Sequence, residues 1–397
     1  MTTENQVLPT TTKHFYPDPV PHSVMQSWLF ADLLPWQHTA WAYMTEHFPN
    51  LPHAMLFAGN AGTGKRAFVY RFVAWALCHA KTINHQGVAT ACGECPSCQW
   101  LMAHTHPNLY QIPPINIASE SSDITKPNSK SKAKLSDQSP THAHSAIIKI
   151  DTIRELQPFV QQSSDGIRLV VIHQADLMTL GASNALLKTL EEPAENVLML
   201  LISDTPSQLL PTIRSRLQSM AVSQLTPQQS LEFMQAQLQQ DLTQGIANQY
   251  QHQNGDSAEP NLQDLTQVNA LSGYAPFVAL DMWQSQWYQH RQTWINSWQA
   301  LRSHQRSPVQ ASDYWQKTLS LTDFLYLSQL MLVEIANHLS NLMVSQQDLD
   351  YQKLNPRSTL SAILQLQQLI RQIVQDRRQH IQDKLCYDKL MYALQQS

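Results

Sequence analysis

Short apolar runs alternate with amphipathic stretches over the first half of the chain, and the second half keeps helical spacing to its end. The stretch LPWQHTAWAYMTEHF, beginning at Leu34, sets Trp36, Ala40 and Met44 four apart and predicts a helix with one apolar face. HAMLFAG, residues 53–59, reads as a short buried strand, and RAFVYRFVAWALC after it reads as a helix. RLVVI (168–172) and VLMLLIS (197–203) are branched apolar runs of strand length. Between them, SNALLKTLEEP follows Ala182. Ala182, Leu186 and Leu190 share one helix face, and Pro193 ends the helix. Strands separated by helices predict a parallel α/β sheet. After Leu225 the pattern is helical, interrupted by the polar QHQNGDSAEPN at 251–261. From about Trp283 the chain is rich in Leu, Gln and Trp, which predicts an all-helical C-terminal domain.

Two stretches fall outside this rhythm. Residues 1–26 are polar and Pro-rich and read as a loose arm without the apolar segment of a secretory signal. Residues 115–145 are rich in Ser, Lys, Pro and Thr and nearly lack large apolar side chains, so they read as a flexible insertion. At 397 residues the chain has room for two or three domains. A net charge of −4 gives no general basic field for nucleic acid. No apolar run reaches the ~18 residues of a membrane span, and a cytoplasmic protein is expected.

The chemistry concentrates in two places. GNAGTGKRAF, residues 59–68, follows a strand and opens a helix, as a phosphate loop requires. Gly59, Gly62, Gly64 and Lys65 fit the pattern G-x-x-x-x-G-K-[ST]. Its last position, the hydroxyl that would hold Mg²⁺, is Arg66, which offers no lone pair. An acidic pair is expected after the next buried strand, to hold the metal and polarise water. His173 and Gln174 stand there, and Asp176 beyond them reads as a cap or structural ligand. Three losses converging on one chemistry predict a nucleotide-binding fold that does not hydrolyse ATP and binds ATP/Mg²⁺ unproductively, if at all.

The second place is Cys78 followed by Cys92-Gly-Glu-Cys95-Pro-Ser-Cys98. Overlapping C-x-x-C steps with a fourth thiolate from the preceding helix predict a closed structural Zn²⁺ site. Cys386 stands alone and reads as a small core residue.

Together these pieces resemble the clamp-loader branch of the AAA+ ATPases. The resemblance rests on the phosphate loop, the four-Cys module directly after its helix, THPNLYQI at 105–112, NALLKTLEEP, and SRL at 215–217 in place of Ser-Arg-Cys. It implies an AAA+-like domain at 27–222 carrying a zinc module at 78–106, then a helical lid at 223–282 and a helical collar for oligomerisation at 283–397. It also implies a hetero-pentamer with gamma/tau-type ATPase and delta-type subunits, which places a sliding clamp on primer-template DNA. By position, Arg216 after Ser215 would complete a neighbour's ATP site. Phe277 would stand where hydrolysing relatives carry an arginine that senses the γ-phosphate. Two rival readings are an ATP-hydrolysing loader subunit and a zinc-dependent DNA-binding module that uses the basic insertion.

Overall fold

The computed structural model describes residues 28–84, 87–112, 147–162, 166–243, 262–340, 359–377 and 382–397. The expected arm at 1–26, the insertion at 115–145 and the polar break at 251–261 lie outside them. The chain divides into two compact units, Met1–Gln229 and Ser230–Ser397.

The first unit is built on strands β1 (Ala54–Ala58), β4 (Leu109–Ile112), β5 (Arg168–Ile172), β6 (Val197–Ser203) and β7 (Gln218–Met220). They form one sheet in the order β4-β5-β6-β1-β7, and every pairing is parallel. A separate hairpin, β2 (Thr82–Ile83) with β3 (Ala89–Thr90), lies within the cysteine segment. The apolar runs are continuous because helices cover the sheet on both faces, leaving no solvent side for polar residues. Successive side chains of β6 point to opposite faces. Leu198, Leu200 and Ile202 join a core with Phe57, Phe68 and Phe72, while Val197, Met199 and Leu201 join a second core with Ile153, Leu156 and Leu186.

The first core is roofed by helices α1 (His38–His47) and α2 (Lys65–Leu77). Ala40, Trp41 and Met44 of α1 face inward, close to the apolar face read from spacing. A short helix, α3 (Pro96–Met102), follows the hairpin. The second core is covered by α4 (Ile150–Gln161) and α5 (Leu180–Glu191). Thr179 caps α5 by accepting from the Ala182 N–H at 3.2 Å, and the chain leaves the helix just before Pro193. A one-turn helix, α6 (Pro211–Arg214), leads into β7.

The second unit is helical among the described residues. α7 (Pro227–Thr243) leads into it, and α8 (Leu262–Leu271) to α15 (Asp383–Gln396) follow. A single apolar core runs from Met234 to Leu394. Its large aromatics are buried without stranding their polar atoms. The indole N–H of Trp294 donates to Ser328 Oγ, that of Trp298 to the Leu394 carbonyl, and that of Trp315 to Ser297 Oγ. Among the described residues no single helix is long and apolar enough to cross a membrane.

Candidate functional site: a filled phosphate loop

Strand β1 lies between β6 and β7, and the glycine loop leaves its C-terminal end. Gly62 and Gly64 have φ of 75° and 82°, which an L side chain rarely adopts. A Cβ on Gly59 would collide with the side chain of Ser223. Neighbouring elements hold the loop shut. Trp36 Nε1 donates to the Thr63 carbonyl at 3.1 Å, and Gln37 Nε2 donates to the Gly64 carbonyl at 3.1 Å. Thr63 Oγ1 donates toward Asn60 O at 3.0 Å and lies 2.9 Å from Ser223 Oγ.

Lys65 is turned into the protein and is only 2% exposed. An ammonium has three donors, and three partners meet it: the Gly59 carbonyl at 2.8 Å, the Asn60 carbonyl at 2.9 Å and the Asp204 carboxylate. Arg66 donates to the other oxygen of Asp204 at 2.8 Å. One carboxylate thus sits between two cations where phosphate and Mg²⁺ would meet a hydrolysing loop. Burial works against ionising Asp204, but Arg66 and Lys65 outweigh it and hold the carboxyl below its ordinary range. Sequence reading overlooked Asp204. Its signal is slight, a lone acid one residue past a strand.

The positions expected to carry the metal-binding and water-polarising acids hold nothing of that kind. His173 is buried, stacks on Tyr70 with ring centroids 5.2 Å apart, and hydrogen-bonds through Nε2 to the Tyr70 hydroxyl. Burial, and then the Arg66 charge, push the imidazole down to about 3. So weak a base stays neutral and cannot activate water near neutral pH. Gln174 adopts a left-handed conformation with φ of 49°. Asp176 accepts from the Asp204 N–H at 3.2 Å and the Thr205 hydroxyl at 2.9 Å, and so acts as a structural ligand for the end of β6.

The four predicted thiols converge. Cys78, Cys92, Cys95 and Cys98 place their sulfurs within 4.8 Å of one another. Three sulfur pairs are 3.5, 3.9 and 3.9 Å apart. A tetrahedral ion about 2.3 Å from each sulfur sets them about 3.8 Å apart, so the group fits such a metal with no open position. Backbone N–H groups of Cys92 and Cys95 point at Cys78 Sγ and Cys92 Sγ. The Asn108 N–H donates to His106 Nδ1, so Nε2 carries the proton and donates to Ser97 Oγ. Ser97 in turn donates to the Leu77 carbonyl at 2.7 Å, tying the start of α3 to the end of α2. Cys386 is buried in the apolar core of the second unit.

Arg216 lies just past α6 on the surface of the first unit. Its guanidinium meets Glu191 at 2.6 Å, at the end of α5, and the Thr212 carbonyl at 2.9 Å. The side chains of Arg216 and Glu191 are 37% and 50% exposed. Such a pair contributes little and exchanges partners readily. Phe277, in the second unit, packs edge-on against Phe233 with centroids 5.3 Å apart.

Residues 39–226 match the family model described as DNA polymerase III, delta subunit. The chain is 37% identical over 188 residues to the DNA polymerase III subunit delta' of Pseudomonas aeruginosa, covering 47% of each. It is 26% identical over 268 residues to the subunit delta' of Haemophilus influenzae, covering 67% of this chain and 65% of that one. It is also 28% identical over 180 residues to the DNA polymerase III subunit tau of Bacillus subtilis, covering 44% and 25%. The match to the Pseudomonas relative spans about half of that protein's length. The parallel sheet, the glycine loop and the cysteine module all lie within the segment that matches this delta-subunit family model.

Proposed function

We propose that the chain is a delta-prime-type subunit of a DNA polymerase III clamp loader in the cytoplasm, one that does not hydrolyse ATP itself. The observation that carries this reading is the filled loop: Lys65 is saturated by Gly59, Asn60 and Asp204, and Arg66 occupies the metal side. Neutral His173 and Gln174 supply neither of the two acids expected to hold Mg²⁺ and polarise water. Its contribution is to a neighbour. Arg216, half-exposed and weakly held, is offered to the ATP of a gamma/tau-type subunit, where a guanidinium stabilises charge on the transferring phosphoryl group. Exposure of this side chain and the looseness of its pair with Glu191 support that role. Phe277 supplies no phosphate ligand of its own.

The remaining parts serve assembly. Cys78, Cys92, Cys95 and Cys98 hold Zn²⁺, which cross-links the hairpin and α3 to the end of α2. Residues 223–282 form the lid and 283–397 the collar, which joins delta-type and ATPase subunits in a hetero-pentamer. Through that assembly the chain takes part in placing a sliding clamp on primer-template DNA, as a subunit of the polymerase holoenzyme.

The test is reconstitution with the other loader subunits. The isolated chain should release no phosphate from ATP, and its addition should raise hydrolysis by the ATPase subunits. Multiple turnover by the isolated chain, abolished by Lys65→Ala, would assign it instead as a hydrolysing subunit.

A further inference from the structure

In a loop that binds nucleotide the anion arrives and departs, so the segments that sense it move. Here the anion belongs to the chain. Asp204 is the first residue after β6, and its carboxylate is gripped by Lys65 on one oxygen and Arg66 on the other. We propose that Asp204 is a positioning residue for Arg216: it stands in permanently for a nucleotide's phosphates and so fixes the path of the chain from the end of β6 to the arginine.

That path is continuous. Asp176 holds both the Asp204 N–H and the Thr205 hydroxyl. The Gln208 N–H then donates to the Thr205 carbonyl at 2.9 Å and the Leu209 N–H to the Pro206 carbonyl at 3.3 Å. Leu209 and Ile213 are 4% and 0% exposed and enter the core shared with α4 and α5. Arg214 N–H bonds to the Leu210 carbonyl, Ser215 N–H to the Pro211 carbonyl, and Arg216 N–H to the Ile213 carbonyl. Each turn between the gripped carboxylate and the guanidinium is therefore bonded or buried. Neutralising Asp204 leaves the buried Lys65 ammonium facing the partly exposed Arg66 guanidinium at the head of this path, and their repulsion is relieved by opening the loop.

The inference rests on Arg216 acting on a neighbour's ATP, and two measurements keep the claims separable. In the full-length chain, Asp204→Asn should raise hydrogen exchange of residues 205–217 about tenfold or more, with β4 and β5 unchanged. In the reconstituted loader it should lower kcat for ATP about tenfold or more at unchanged KM, since a guanidinium displaced by about an ångström loses much of its effect. Asp204→Glu should recover part of that loss. Should Asp204→Asn fail to fold, Lys65→Met removes the same grip from the other side, and the same local rise is expected. Unchanged exchange at 205–217 in the folded variant, or a uniform rise across the sheet, overturns the inference whatever the loader does. If Arg216→Ala leaves the loader's kcat intact, the functional reading fails instead.

Discussion

Acidification offers a quantitative check on His173, the first of the two residues that stand where an acidic pair is expected. His173 lies in an apolar stack against Tyr70, and Nδ1 has no hydrogen-bond partner among the described residues. Protonating it would bury a charge near Arg66. In the unfolded chain the imidazole titrates at its ordinary 6.5, whereas in the fold it is pushed down to about 3. The unfolded state thus binds more protons between those values. Stability contributed by the neutral ring is present above pH 6.5 and is lost as pH falls toward 3. Linkage over that interval gives a loss of about 2 kcal/mol between pH 7 and 5, and about 3 kcal/mol by pH 4. Hydrogen exchange of peptides spanning Arg168–Ile172, corrected for intrinsic rates, reads the opening free energy of this region. Comparison with His173→Gln, which cannot titrate, removes the contributions of all other groups. The wild-type-minus-variant difference should shrink by those amounts. A difference flat from pH 7 to 4 would mean that His173 is not buried neutral and would reopen the question of its catalytic use.

Four further outcomes follow from the geometry. Metal analysis of reduced protein should find about one zinc per chain, and Cys98→Ser should abolish it and loosen residues 78–106 to proteolysis. Arg66→Ser, which restores the hydroxyl of the phosphate-loop pattern, should still yield no measurable ATPase, because His173 and Gln174 remain. Leu186→Ala, at a fully buried site under β6, should cost about 2–5 kcal/mol in urea unfolding. Glu191→Ala removes a half-exposed partner of Arg216 and should change stability by no more than about 1 kcal/mol.

How legible these features were depended on how much of each signal is local. RLVVI and VLMLLIS match β5 and β6 residue for residue, because strands buried on both faces must be apolar throughout. The cysteine spacing alone brought four sulfurs to one point. Strand β7 escaped notice because its three residues lie at the sheet edge and two are exposed. The hairpin of two-residue strands is too short and too polar to leave a pattern. Asp204 was invisible for a different reason. Its role comes from register: β1 pairs with β6 so that Ala58 lies opposite Ser203, which carries the next residue to the mouth of the loop. The losses at Arg66, His173 and Gln174 were legible as missing chemistry. What fills the space, a carboxylate between Lys65 and Arg66 and an imidazole on Tyr70, is a matter of packing between segments over one hundred residues apart.

The most direct measurement of the central claim is ATP turnover by the reconstituted loader carrying Arg216→Ala in this chain alone. Assembly should be intact by size and composition, with kcat reduced by about a hundredfold or more at the adjoining site, and the isolated chain should release no phosphate from ATP with or without the substitution. Wild-type turnover in a correctly assembled Arg216→Ala loader would contradict the claim that this protein acts on its neighbour's nucleotide.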